Sequence, residues 1–259
     1  MAKSRELSDS VSNRITDAAC AVVLIIPTLN EAASIGAAVR SIPRDVVKRI
    51  IVADGGSSDN TAACARGSGA EVLDVGSGYG RASLLATQAA TDADIVVFMD
   101  GDGADNAQSM RSLVDPIRSG AADFVIGSRV RGKREPGSIS WHQVAAGTLG
   151  GFGMKLLYGV QYTDMCAFRA IRRDALLGLG MSEMTYGWNI GMQMRAACSG
   201  LRILEIPVPY HRRTGGSSKV AGSFRGAIRA GVRIVSTFIR VSIQTGPQRH
   251  PKQKPQGEA

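Results

Sequence analysis

The sequence predicts an α/β fold on a mostly parallel central sheet flanked by helices, forming one domain that ends in an amphipathic helix. Three observations carry this. Short apolar runs rich in β-branched residues recur through the first half, as strands buried on both faces require. Helical stretches alternate with them, the pattern of βαβ crossovers. Nearly every run is followed by glycine-rich, polar or acidic residues, and in open α/β sheets ligands sit outside the carboxyl ends of the strands.

Cys20–Ile26 (CAVVLII) is the first strand, predicted to end at Pro27. Glu31–Ser41 reads as a helix, Arg49–Ala53 (RIIVA) as the second strand and Asp59–Arg66 as the next helix. Glu71–Val75 is a short third strand, Arg81–Ala90 an Ala-rich helix and Asp94–Met99 (DIVVFM) the fourth strand. Asn106–Ser119 reads as a helix, and Asp123–Ile126 leads a fifth strand, completing a five-stranded parallel layer. Residues 1–18 read as a loose polar leader and 245–259 as a polar, disordered tail. One domain over 19–221 and a basic helix over 222–244 lie between them.

With 259 residues, 44% of them hydrophobic, the chain can bury a substantial core. Its net charge of +9 favours anionic partners. The basic residues gather in 129–134, 211–219 and the tail. Aromatics are only 5%, and no recognition motif for nucleic acid is present, which argues against that partner. The four cysteines have no zinc-knuckle or Cys-x-x-Cys spacing and read as reduced thiols. No apolar signal core and no bilayer-spanning run is found. The expectation is a cytoplasmic protein whose membrane contact, at the cytosolic surface, is peripheral.

The loops after the strands carry the chemistry. After the fourth comes Asp100-Gly101-Asp102. Two carboxylates one residue apart repel unless a cation or donor stands between them. Mg²⁺ or Mn²⁺ bridging diphosphate oxygens meets that need; an Asx-type turn and helix cap is the alternative. Asp54, after the second strand, is placed to accept hydrogen bonds from a base or ribose, and Gly55 and Gly56 let a nucleotide approach closely. Ser57 or Ser58 is expected to cap the following helix. Gly76-Ser77-Gly78-Tyr79-Gly80-Arg81 is glycine-rich, but its sixth position is Arg81 and it follows the third strand, which argues against a dinucleotide fingerprint. Arg81 reads instead as a diphosphate contact at a helix N-terminus.

In order, VVLIIPTLNE, IIVADGGSSDNT, FMDGDGAD, DFVIGSR, DMCAFRAIRR and LRILEIPVPYHRRTGGSSK resemble the family 2 glycosyltransferases, and within them the dolichol-phosphate mannosyltransferase and polyprenyl-phosphate glycosyltransferase branch. The likeness covers about residues 20–240. It implies a glycosyltransferase A-type fold, a GDP- or UDP-sugar donor such as GDP-mannose or UDP-glucose, a divalent metal, and inverting transfer of a hexose to a polyprenyl or dolichyl phosphate. By that resemblance Pro27, Leu29, Glu31 and Asp54 contact the nucleoside, while Asp100 and Asp102 hold metal and diphosphate. Arg129 faces the acceptor phosphate, and Arg213 and Lys219 neutralise phosphates. Arg131 and Arg134, with Lys133, form a basic lid candidate beside Arg129. Asp164 is the candidate general base, with a buried acceptor of loop N–H groups as its alternative.

The chain departs from the family pattern at four places. Gly55 replaces a second Asp. Ala104 stands where a Gln is frequent, leaving adjacent Asp105 as the candidate third metal ligand. Gly191, in Tyr186–Gln193, replaces a Glu, and Ala167 replaces a Gly. Gly191 and Ala104 motivate a second reading, a degenerate nucleotide-sugar-binding protein; a transferase acting on a soluble hydroxyl acceptor is another alternative. In 222–244, Arg225, Arg229, Arg233 and Arg240 share a helical face beside Phe224, Ile228, Val235, Phe238 and Ile239. Such a helix suits an anionic membrane surface; packing on the domain is the alternative.

Overall fold

The computed structural model describes residues 20–215 and 224–245. The leader, residues 246–259 of the tail and Lys219 lie outside them, while Thr245, the first residue assigned to the tail, closes the last helix. In chain order the elements are β1 (Val22–Thr28), α1 (Ile35–Arg40), β2 (Arg49–Asp54), α2 (Thr61–Gly67), β3 (Glu71–Asp74), α3 (Tyr79–Ala89), β4 (Ile95–Phe98), α4 (Met110–Arg118), β5 (Phe124–Ser128), α5 (Trp141–Tyr158), β6 (Arg169–Arg172), α6 (Arg173–Gly178), α7 (Trp188–Cys198), β7 (Ile203–Pro207) and α8 (Phe224–Thr245).

The strands form one sheet in the order β3-β2-β1-β4-β6-β5-β7. β1 to β4 are mutually parallel, as are β5 and β7, while β6 runs antiparallel to both β4 and β5. This corrects the expected five-stranded parallel layer. The fifth run is separated from β4 by β6, whose RAIR sequence has only two apolar residues, too few to stand out. Because β6 alone is reversed, the carboxyl ends of the others meet at one edge.

β1 is buried at every position and shows why the strands are continuously apolar. Val22, Leu24 and Ile26 face one core with Ile35, Val39, Met110, Leu113 and Ile117 of α1 and α4. Val23 and Ile25 face the other, with Ala82 and Ala86 of α3, Met154 of α5, Met192 of α7 and Val241 of α8. The period-2 alternation of side chains thus seats helices on both faces.

Several predicted boundaries shift for local reasons. β1 runs past Pro27, which pairs in register with Ala53. Ile25 O accepts the Met99 amide on the β4 side, and Thr28 O accepts the Gly55 amide on the β2 side. Pro27 falls where the ladder towards β4 has ended, so its missing N–H costs nothing. The expected helix from Glu31 starts at Ile35, because Glu31 O first closes a turn with the Ser34 and Ile35 amides. The stretch from Asn106 divides into a 3₁₀ turn, Ala107–Ser109, and α4, with Asn106 Oδ1 accepting the Gln108 amide at 3.0 Å. Neither Ser57 nor Ser58 caps α2. Helix formation waits until Thr61, whose amide is taken by Asp59 Oδ1 at 3.0 Å.

The far half of the sheet is pinned by Asp123 at the start of β5. Its carboxylate accepts from Arg202 N, Nε and Nη2 at 2.9, 2.9 and 2.7 Å, and from Arg172 Nη1 at 3.2 Å. The hydrogen bond from Arg202 holds the Asp123 carboxyl below its ordinary range, against the opposing effect of burial. Both arginines remain partly exposed, which moderates the interaction. Asp123→Ala is expected to cost about 2 kcal/mol at neutral pH. A depressed carboxylate stabilises above its unfolded value and loses that contribution as pH falls through the folded one. The difference between wild type and variant, read by chemical denaturation, should therefore shrink below about pH 4.

Candidate active site

A cleft of about 440 Å³ opens at the shared carboxyl edge of the sheet. Pro27, Thr28, Leu29 and Glu31 reach it from the end of β1, Gly55 from β2, Asp100 to Asp102 from β4 and Arg129 from β5. Asp164, Asn189, Tyr210 and Arg213 come from the second half of the chain.

The floor is acidic. Asp102 Oδ1 accepts the Ala104 amide at 2.9 Å, the Asx-type turn weighed from the sequence, while Oδ2 lies 2.9 Å from Arg213 Nε. Asp105 Oδ2 accepts the Asp100 amide at 3.1 Å. Gly103 has φ +77°, and a Cβ there would lie 2.5 Å from Thr214 Oγ1, so only glycine lets the 211–215 loop approach. Burial, then the charge of Asp102, pushes the Asp100 carboxyl up to about 6, with Arg213 and Arg129 opposing. Burial, then Asp100 and Asp102, raises Asp105 well above the carboxylate range.

The basic wall is built around Asp164, which is 3% exposed. Its Oδ2 accepts from Arg129 N and Nε at 2.9 and 2.8 Å, and its Oδ1 from Arg129 Nη2 and Met165 N, each at 2.7 Å. The fork fixes the guanidinium in plane, and Tyr210 stacks on it with its centroid 5.1 Å from Cζ. Behind it, Glu205 of β7 accepts Thr163 N at 2.9 Å, Thr163 Oγ1 at 2.9 Å and Asp164 N at 3.2 Å. With both oxygens occupied, Asp164 has the geometry of the buried acceptor, and it orients Arg129.

The structure thus gathers Pro27, Leu29, Glu31, Asp100, Asp102, Arg129, Asp164 and Arg213 around one cleft. It does not bring every expected residue there. Asp54 turns into its own loop, where its Oδ1 takes Ser57 N at 3.1 Å and Ser57 Oγ at 2.5 Å. Arg81 is exposed, and its Nε donates to Val75 O at 2.8 Å. Arg131 donates to Glu205 O at 2.9 Å, and Arg134 is exposed on the loop bridged to Tyr210. Of the glycine-rich loop, Gly78 lines the cleft while Gly80 serves packing: a Cβ at Gly80 would sit 1.8 Å from Glu183 O.

The donor set suits a hard cation, since Asp100 and Asp102 crowd negative charge that a divalent ion shared with diphosphate oxygens would relieve. The expected third ligand does not complete a set. Among the described residues no three His, Cys, Asp or Glu side chains converge on a metal position, because Asp105 is turned to the Asp100 amide. Tyr79, Gln143, Asn189 and Tyr210 also line the cleft without having been singled out. Tyr210 carried the one available signal, an aromatic beside the basic 211–213 run of an aromatic-poor chain.

Residues 23–180 match the model of glycosyl transferase family 2, and the chain belongs to that family. It is 37% identical over 213 residues to an uncharacterized glycosyltransferase of Mycobacterium bovis, covering 81% of this chain and 94% of the relative. It is 30% identical to an undecaprenyl-phosphate mannosyltransferase of Micrococcus luteus, with 79% and 89% covered. In fold it is similar to glucosyl-3-phosphoglycerate synthase of Mycobacterium tuberculosis, solved with Mn²⁺, UDP-glucose and phosphoglyceric acid. The TM-score there is 0.68 at 23% identity, with 86% of this chain and 80% of that one covered. The fold is glycosyltransferase A-type.

Asp100 supplies a test of the acidic floor. Its folded carboxyl is raised to about 6, so the unfolded chain ionises first, near pH 4. Stability from this group is present below about pH 4 and lost as pH rises through about 6. Relative to Asp100→Asn, wild type should lose on the order of 1–2 kcal/mol between pH 4 and 7, measured by denaturant unfolding without metal. A difference that is constant or grows with pH would contradict the buried acidic pair.

Proposed function

We propose that this glycosyltransferase moves a hexose from a GDP- or UDP-sugar onto a polyprenyl-type lipid phosphate, with inversion. The observation that carries the reading is one cleft lined by an acidic turn, Asp100–Asp102, and two cations, Arg129 and Arg213. Asp100 and Asp102 are the residues that would hold Mn²⁺ or Mg²⁺, which when bound neutralises charge on the departing diphosphate. Pro27, Leu29 and Glu31 border the nucleoside, with Asp54 supporting the same loop through Ser57. Arg213 exchanges its Asp102 partner for donor phosphate, assisted by Lys219. Arg129, pre-oriented by Asp164, receives the acceptor phosphate. The acceptor oxygen attacks the anomeric carbon as the bond to the diphosphate oxygen breaks.

Asp164 bears on the acceptor. A hydroxyl nucleophile needs a base with a free lone pair, whereas both Asp164 oxygens are hydrogen-bonded. A phosphate acceptor arrives as an anion and needs no such base. The undecaprenyl-phosphate mannosyltransferase relative points to the same acceptor class, and the Mn²⁺ and UDP-glucose of the structural neighbour to the donor and metal.

The test is a thermal-shift panel of GDP- and UDP-sugars with and without Mn²⁺, followed by transfer to a polyprenyl phosphate. Asp102→Asn keeps an acceptor for the Ala104 amide and should lose the metal-dependent shift and at least ~100-fold of transfer. Retained metal-dependent turnover by this variant sinks the assignment. Donor binding with no transfer to lipid-phosphate or hydroxyl acceptors would establish the binding-protein reading instead.

A peripheral membrane contact completes the proposal. No helix among the described residues is long and apolar enough to cross a membrane. On α8, Val232, Val235, Ile239 and Ile243 are exposed, as are Phe152 and Leu156 of α5. The two helices meet where Phe238 packs on Gly153. An apolar face on a chain of charge +9 suits an anionic bilayer. Val235→Glu with Ile239→Glu should lower co-sedimentation with phosphatidylglycerol vesicles by ~10-fold or more. Unchanged sedimentation would remove α8 from the contact.

A further inference from the structure

The segment joining α6 to α7 runs between the C-terminal helix and the cleft, and it contains a buried carboxylate that the proposed chemistry does not use. Glu183 is 4% exposed. Its Oε2 accepts from Thr237 Oγ1 at 3.4 Å and is paired with Arg240 Nη2, both on α8. Its Cγ fills the space beside Gly191, where a Cβ would come within 2.9 Å. α8 presses on the same segment at Gly187, where a Cβ would lie 2.2 Å from Thr237 Oγ1.

The main chain of this segment grips the opposite partner, the N-terminus of α3. The Arg81 amide donates to Met184 O at 3.0 Å. Gly80 packs so closely on the Glu183 carbonyl that no other residue fits. The next two residues, Thr185 and Tyr186, line the cleft, as do Ser77, Gly78 and Tyr79 at the start of α3. One strap therefore touches α8 through a side chain, α3 through its backbone and the cleft through its next residues.

We propose that Glu183 is a positioning residue. Held by Arg240 and Thr237, it sets the 183–186 strap against α3, so that α8 acts on the shape of the cleft through one ion pair. A buried carboxylate that loses its partner must be rehydrated or protonated, and the cheapest route here is for the strap to lift. Arg240 is half-exposed, so events at the surface of α8 reach the pair directly. The strap is also the wall of the proposed donor site, and only the binding arm of the test rests on that reading.

The experiment is hydrogen exchange on the full chain for wild type, Arg240→Ala, Arg240→Lys and Glu183→Gln, with Kd for UDP and GDP measured in parallel. Arg240→Ala and Glu183→Gln should raise exchange of the Arg81 amide and of 183–187 by about tenfold, leaving β1 and β4 unchanged. They should weaken nucleotide binding several-fold, and Arg240→Lys should recover much of both. Faster exchange confined to α8 with the Arg81 amide unaffected overturns the proposal, as does a uniform rise through β1 and β4. Failure of wild type to bind either nucleotide overturns the donor-site reading, while the exchange comparison still decides the role of Glu183.

Discussion

Much of this protein is organised around the difficulty of placing Asp100, Asp102 and Asp105 in one turn at a buried sheet edge. Burial, and then the neighbouring carboxylates, raise the proton affinity of Asp100 and Asp105. The surroundings answer with donors: the Ala104 and Asp100 amides, the Arg213 guanidinium, and Arg129 within electrostatic reach. Arg213 and Arg129 come from segments far apart in sequence, so the acidic turn needs the second half of the chain to be folded over it. The glycine at 103 that admits Thr214 belongs to the same arrangement.

The reversed strand β6 brings this about. It passes between β4 and β5: β5 has already delivered Arg129 to the edge where β4 ends, and β6 leads the chain back from that edge so that β7 can bring the Tyr210 loop to it. A purely parallel continuation would reach the same edge but would offer no place for the 163–168 turn, which carries Asp164 under Arg129. Topology and ion pair are in this sense one feature.

The first half of the fold was legible because its strands are buried on both faces and so read as unbroken apolar runs. The second half was not, for reasons visible in particular residues. β6 hides a fully buried Arg169 whose guanidinium is satisfied by the Cys166 and Asn189 carbonyls, a pairing no local pattern announces. β7 is partly exposed along its length, which dilutes its hydrophobicity. At the site, Leu29, Asp100, Asp102 and Arg129, on tight turns after strands, reach the cleft because position on the chain fixes their reach. Arg81 and Asp54 went elsewhere because long or polar side chains choose among competing partners: Val75 O for one, Ser57 for the other. Tertiary contacts settle such choices.

An edge strand leaves one row of its backbone N–H and C=O groups unpaired. β7 is an edge strand, yet Glu205 at its centre holds Thr163 and Asp164, Asp164 holds Arg129, and Arg129 stacks on Tyr210 a few residues beyond the same strand. The linkage closes into a ring that begins and ends on the sheet's margin. A change of side chain at this periphery is thereby coupled to the orientation of the cleft's most firmly held cation.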